Sequence, residues 1–263
     1  MTAVAHDSAP AARTTTAGRG SRLHGAGADV PKWLVEVAGR PIAHFHLAAL
    51  RDAPAAWSRL VVVTGHRRDA FDAERLSALA GRTCELVHNP EYASRNNWLS
   101  LATALDHLAA TGWAGAVCVL NSDLLLPPTR LRALLEGAAA RDGSNVLVVD
   151  SRRELTDEAM KVVTDGGARV CDIGKGELRG TPSGEFVGLS TLAAPHVAAV
   201  RSVLAGFASD PRHDDAWYEG AYREAIDAGV PFAAAEVGTA DWVEIDDECD
   251  LRRGAEIARR YGA

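Results

Sequence analysis

Leu60-Val-Val-Val-Thr64, stopped by Gly65, is a short run of aliphatic and β-branched residues with no polar alternation. It is too short for a helix and apolar throughout, so it reads as a strand buried on both faces. Three further runs repeat the pattern. Glu85-Leu-Val-His88 precedes Asn89-Pro90, Ala116-Val-Cys-Val-Leu120 precedes Asn121-Ser-Asp123, and Asn145-Val-Leu-Val-Val149 precedes Asp150. Amphipathic stretches near 41–53, 69–80, 97–110 and 129–141 lie between or beside them. Such alternation predicts an α/β fold with a mostly parallel, Rossmann-like sheet and helices on both faces.

Beyond Asp150 the pattern changes. Met160-Lys-Val-Val-Thr164, Asp165-Gly-Gly167 and Arg169-Val-Cys-Asp-Ile173 read as a β-hairpin. Glu185-Phe-Val-Gly-Leu189 is a further strand, and helical patterns near 193–208 and 214–229 precede strands at 233–237 and 242–245 and a helix over 248–261. The expectation is one domain over 11–263 with a small antiparallel β insertion, and a loose tail over 1–10, where residues are small and aperiodic.

The composition narrows the function classes. With 263 residues, 47% hydrophobic and 24% charged, the chain can bury a large core, which excludes disordered and fibrous classes. No stretch reaches the roughly 20 apolar residues of a membrane span. The first twenty residues lack an apolar signal core, so the cytoplasm is the expected compartment. The four cysteines stand singly, which predicts reduced thiols and no zinc site. A net charge of −7 argues against a nucleic-acid partner.

Two sets of residues point to a charged ligand. In Ala17-Gly-Arg-Gly-Ser-Arg-Leu23, glycines let backbone N–H groups approach an anion, while Arg22 and Lys32 of Pro31-Lys32 add charge. The spacing fits neither a dinucleotide fingerprint nor a P-loop. Asp123 and Asp246 each follow a strand-like run, and ligands of open α/β sheets gather at the carboxyl ends of strands. Two separate carboxylates suit magnesium, which keeps waters and takes few protein ligands. Either aspartate could instead cap a helix.

The order of these strings resembles a known family. Gly18-x-Gly20-x-Arg22 with Pro31-Lys-Trp-Leu-Val-Glu-Val-Ala-Gly-Arg-Pro41 is similar to the amino-terminal signature of nucleotidyltransferases that activate sugar phosphates and phosphorylated head groups. Asn96-Asn-Trp-Leu-Ser-Leu101, Leu120-Asn-Ser-Asp123, Met160-Lys161, Glu185-Phe-Val-Gly188 and Trp242-Val-Glu-Ile-Asp246 resemble segments of its phosphocholine and phosphonate cytidylyltransferases. The resemblance implies a GT-A-like sheet and magnesium-dependent transfer of CMP from CTP to a small phosphate or phosphonate, with release of pyrophosphate. It implies catalytic charge from Arg22 and Lys32, and nucleotide contacts from Ala17, Gly18, Gly20, Ser21, Asn97 and Ser100. Asp123 and Asp246 would hold Mg2+, and Lys161 and Glu185 would hold the acceptor, of phosphocholine, phosphoethanolamine or phosphonate type.

Two departures stand out: Arg13 lies where the family has an apolar first strand, and Ser122 replaces a glycine. A sugar-1-phosphate nucleotidyltransferase and a catalytically silent nucleotide-binding protein are the rival expectations. Trp98, Trp217, Tyr218 and Trp242 could cage a quaternary ammonium, although core packing is the expectation for each. His44 and His46 are read as structural. The acceptor and a homodimer stay open.

Overall fold

Successive residues of the apolar runs point into two different cores. Leu60, Val62, Leu86, Cys118, Leu120 and Val148 belong to one, and Val61, Val63, Val87, Val119, Leu147 and Val149 to the other. A strand alternates its side chains between the two sheet faces, so both faces of this sheet are covered. That is why these runs carry no polar alternation. Burying each Val or Leu contributes about 1.5–3 kcal/mol.

The computed structural model describes residues 2–3, 11–15, 30–139 and 143–261. In chain order the elements are β1 (Thr2–Ala3), β2 (Ala11–Thr15), β3 (Glu36–Val37), β4 (Arg40–Pro41), α1 (Ile42–Arg51), β5 (Leu60–Thr64), α2 (Ala73–Ala80) and β6 (Cys84–His88). There follow α3 (Asn97–Ala110), β7 (Val117–Asn121), β8 (Leu124–Leu125), α4 (Pro128–Ala139), β9 (Asn145–Asp150), β10 (Lys161–Thr164), β11 (Val170–Gly174) and β12 (Gly184–Leu192). The chain continues through α5 (Ala194–Ala208), α6 (Tyr218–Asp227), β13 (Phe232–Glu236), β14 (Val243–Glu244) and α7 (Glu248–Arg260). Helices α1, α2, α4 and α7 contribute to the first core, and α3, α5 and α6 to the second.

Strands β6, β5, β2 and β7 form the parallel part of the main sheet. Beyond β7 the sheet is mixed, because β12 runs antiparallel to both β7 and β9, while β13 rejoins β9 in parallel. The expected hairpin, β10–β11, pairs antiparallel and docks β10 on the leading end of β12. β12 enters from this hairpin and not from a crossover helix, and antiparallel pairing follows. Thr2 and Ala3, within the segment read as a tail, pair antiparallel with β2 and β5. No helix among the described residues is long and apolar enough to cross a membrane.

Two small pairings bring distant strings together. β8 and β14 pair antiparallel with Val243 opposite Leu125 and Glu244 opposite Leu124. The Ile245 amide donates to the Asp123 carbonyl at 2.9 Å. Asp123 and Asp246, 123 positions apart, are thereby held at one end of the sheet. Behind Asp246, α7 opens with a capping box, in which Asp247 accepts from the Cys249 and Asp250 amides. The Asp250 carboxylate accepts from the Asp246 and Asp247 amides at 3.1 Å each, which fixes the backbone at the site. A Cβ on Gly254 would sit 2.8 Å from Ile245 Cδ1, so only glycine lets α7 pack this closely.

Candidate active site

A cavity of about 320 Å³ opens at this end of the sheet. Lys32, Asn97, Asp123, Glu185 and Asp246 all line it, brought together from five parts of the sequence. Lys32 sits on a single helical turn opened by Pro31. Its Nζ lies 3.1 Å from Asp123 Oδ2 and also contacts Asp246 Oδ1. Burial alone would lower the Lys32 pKa, but the two carboxylates outweigh it and hold the amine firmly protonated. Burial likewise pushes the Asp123 carboxyl up, and the neighbouring ammonium overrides it, leaving the carboxyl below its ordinary value.

The turn that carries Lys32 is tied to the strand end that carries Asp123. Trp33, fully buried, donates its indole N–H to His46 Nδ1 at 2.9 Å. His46 Nε2 lies 2.6 Å from the Leu124 carbonyl, an acceptor, so this nitrogen carries the proton. Burial depresses the His46 pKa to about 4, which keeps the ring neutral in that tautomer. The ring thus links the neighbour of Lys32 to the neighbour of Asp123. His44, by contrast, faces outward beside Arg40.

Asn96 and Asn97 stitch the start of α3 to the segment that leads into α6. Asn96 caps α3 by accepting from the Asn97 amide, and its side-chain amide donates to the Asp215 carbonyl. Asn97 Oδ1 accepts from the Tyr218 amide at 2.9 Å. Asn121, at the end of β7, accepts from the Tyr218 hydroxyl at 3.0 Å. Gly188 makes room for it: its φ is +80°, and an added Cβ would fall 2.7 Å from Asn121 Nδ2.

Two expected ligand contacts are placed elsewhere. Ser100 is fully buried and accepts from Asn89 Nδ2 at 3.0 Å, so it faces the protein interior and does not border the cavity. Lys161 begins β10, and its amine donates to the carbonyls of Asp157 and Lys175, both at 3.4 Å; it is not itself among the residues that line the cavity. Besides Lys32, the lysine that lines the cavity is Lys175, in the turn after β11. Ala17, Gly18, Gly20, Ser21 and Arg22 lie outside the described residues, as does the side chain of Arg13.

The sequence reading also missed several lining groups. Glu244 precedes Asp246 by two positions, and the period of two within Val243-Glu-Ile-Asp246 was the signal for a shared face. Burial raises its pKa, and Asp123, Asp246 and Glu219 push the same way. Glu219, in the first turn of α6, is buried, and desolvation raises its carboxyl to about 7. Glu185, an expected acceptor ligand, does line the cavity; burial raises its pKa, with Arg153 opposing the shift. Core packing holds for Trp98, Tyr218 and Trp242, all buried; Trp217 is 45% exposed and lines the cavity.

A divalent cation fits the donor set. Asp123 and Asp246 hold one ammonium between them, and a small dication could take the same two carboxylates. Among the described residues no group of three or more His, Cys, Asp or Glu forms an all-protein metal cage. A two-carboxylate site completed by a ligand's phosphates suits magnesium better than zinc.

Known proteins share this architecture. The CTP:phosphocholine cytidylyltransferase of Streptococcus pneumoniae superposes with a TM-score of 0.71, over 94% of this chain and 97% of that one, at 22% identity. The CMP-5'-(3-aminopropyl)phosphonate synthase of Streptomyces rubellomurinus is 33% identical over 150 residues, 57% of this chain and 22% of that protein. The 2-aminoethylphosphonate cytidylyltransferase of Lancefieldella rimae is 25% identical over 239 residues, 89% of this chain and 87% of that protein. The chain spans about half or less of the length of the first curated relatives it matches. Residues 15–217, most of the chain, match the MobA-like NTP transferase domain, and the protein belongs to that family of nucleotidyltransferases.

Proposed function

We propose that this nucleotidyltransferase moves a cytidylyl group from CTP to a small phosphate or phosphonate acceptor. The observation that carries the reading is the Lys32 ammonium held by Asp123 and Asp246 at the strand ends that floor one cavity. Its sequence and structural relatives include phosphonate and phosphocholine cytidylyltransferases, which supports CTP as the donor.

In the reaction an acceptor oxygen attacks the α-phosphorus of CTP. The bond from that phosphorus to the bridging oxygen breaks, and pyrophosphate leaves with the electron pair. The acceptor is already an anion near neutral pH, so no activated Ser or Cys is needed. Catalysis is then positioning and charge neutralisation. Lys32 offsets charge on the triphosphate, assisted by Arg22 and the backbone of Ala17, Gly18, Gly20 and Ser21, to which the resemblance assigns the same anion. Asn97 borders the nucleotide, and Asp123 and Asp246 are the residues that would hold magnesium. The ion, when bound, offsets phosphate charge and orients the α-phosphate. Such a reaction belongs in the cytoplasm, where CTP is made.

The test is pyrophosphate release when the protein is mixed with CTP, magnesium and a panel of acceptors, including sugar 1-phosphates. Release with a phosphonate or phosphorylated head group supports the reading. Release with sugar 1-phosphates alone, or with UTP in place of CTP, overturns it.

A further inference from the structure

Beside the carboxylates, the cavity is also lined by Glu158, Lys175, Trp217 and Glu219. Two groups of opposite charge line it, Glu219 and Lys175, and they attract each other; Tyr218 also hydrogen-bonds Glu219, yet one carboxylate oxygen is left over. Glu219 is only 4% exposed, and its Oε2 has no hydrogen-bond partner among the described residues. Leaving a buried acceptor unpaired costs about 1–3 kcal/mol, so the site gains when a ligand brings a donor. The raised Glu219 pKa fits a carboxyl awaiting a cation.

Lys175 has the complementary need. Its ammonium lies 4.8 Å from the centroid of the Trp217 ring. Its ion-pair partner is Glu158 Oε2 at 3.4 Å, on a side chain that is 91% exposed. A pair this exposed contributes little, so an anionic ligand could replace Glu158 at small cost.

The turn that presents Lys175 is anchored. Buried Asp172 accepts from the Arg179 amide at 2.8 Å and pairs with the Arg179 and Arg223 guanidiniums. Arg223 also donates to the Glu177 carbonyl at 3.2 Å. Lys175 is thus held at the cavity by a built support on β11 and α6.

We propose that this part of the cavity lining recognises an acceptor tail bearing both an ammonium and a carboxylate: the amino-acid part of a phosphonate or phosphate ester. The ammonium meets Glu219, and the carboxylate meets Lys175 beside the Trp217 ring. An ammonium alone would leave Lys175 without a role in the cavity. A carboxylate alone would leave Glu219 Oε2 without a donor. The inference rests on cytidylyl transfer for the phosphonate end of the acceptor, and on these two side chains for the tail.

Three probes isolate the two contacts. 2-Amino-3-phosphonopropionate carries both tail charges, 2-aminoethylphosphonate lacks the carboxylate, and 3-phosphonopropionate lacks the ammonium. Each is titrated calorimetrically into the full chain with CTP present and magnesium withheld, so that binding is read without turnover. The expected result is that 2-amino-3-phosphonopropionate binds at least tenfold more tightly than either truncated probe. Lys175→Met should reduce it to the level of 2-aminoethylphosphonate, and Glu219→Gln to the level of 3-phosphonopropionate. Lys175 is at the surface, so that variant tests the idea even if Glu219→Gln folds poorly. Equal binding of 2-aminoethylphosphonate and the amino-acid probe overturns the proposal. So does a preference that survives Lys175→Met, or no binding by any probe. Pyrophosphate release with magnesium restored is scored separately. The expected binding pattern without pyrophosphate release would keep this inference and sink cytidylyl transfer.

Discussion

His46 offers the most exposed test of how the site is held. Replacing it with leucine keeps most of the volume but removes both ring contacts, leaving the Trp33 indole N–H and the Leu124 carbonyl buried and unpaired. Each such orphan costs about 1–3 kcal/mol, so His46→Leu should lose roughly 2–6 kcal/mol of stability. At the low end, a chain of this size should melt about 4–8 °C earlier. Glutamine offers an amide oxygen to Trp33 and an amide N–H to Leu124, so His46→Gln should recover much of that loss. The pH dependence gives a second reading. The ring titrates at about 4 in the folded protein against an ordinary 6.5. The unfolded chain therefore binds the extra proton first, and this stabilising contribution is complete above 6.5 and is lost as pH falls toward 4. The full effect is about 3 kcal/mol, from 1.36 kcal/mol per unit. Calorimetric unfolding of the parent and of His46→Gln between pH 4 and 7 should show the parent losing more stability by about that amount. Turnover should follow geometry: His46→Leu, assayed well below its melting point, should fall at least tenfold, with His46→Gln within threefold of the parent. Parental stability and turnover in His46→Leu, or pH profiles that run parallel in the parent and His46→Gln, would refute the tie between the Lys32 turn and the Asp123 strand.

The parallel core was legible in the sequence because its signal is local. Leu60–Thr64 and Val117–Asn121 are buried on both faces, so their apolar character shows without knowledge of their neighbours. Asp123 and Asp246 were legible for a related reason, each standing just past a short strand. The second lysine of the cavity lining, Lys175, was not. Lys161 and Lys175 both belong to the β10–β11 hairpin region, where strand period cannot tell which amine reaches the cavity. The choice is made by Asp172, whose partners Arg179 and Arg223 come from a turn and from another helix. Glu219 was hidden similarly: a glutamate in the first turn of a helix ordinarily faces solvent, and only packing of α6 against β11 and α3 buries it. The direction of β12 also escaped the strand pattern, because pairing on two sides at once is a property of its neighbours.

Asp123→Asn and Asp246→Asn should each lower pyrophosphate release at least about 100-fold with unchanged circular dichroism, since each removes a charge the metal requires; near-parental rates in saturating magnesium would remove the two-carboxylate site. Lys32→Ala should cost about 3 kcal/mol of transition-state stabilisation, comparable to loss of one oxyanion donor, and should appear mainly in kcat; a rate within about twofold of the parent would make Lys32 a structural counter-ion only. Gly188→Ala tests whether the space left for Asn121 matters to the chemistry or only to the fold. The substitution combines a strained φ of +80° with a Cβ 2.7 Å from Asn121 Nδ2, so Asn121 must move, two positions before Asp123 and away from the Tyr218 hydroxyl. Gly166, in the β10–β11 turn, supplies the control, because its φ is +87° yet an added Cβ meets nothing within 4 Å. Both alanine variants should lose about 1–3 kcal/mol in denaturant titrations from backbone strain. Only Gly188→Ala should also lose turnover, at least tenfold at a temperature where both are folded. Equal stability losses with parental turnover in both would show that the end of β7 tolerates displacement, and that Asp123 is positioned from its other side, by the Ile245 and His46 contacts.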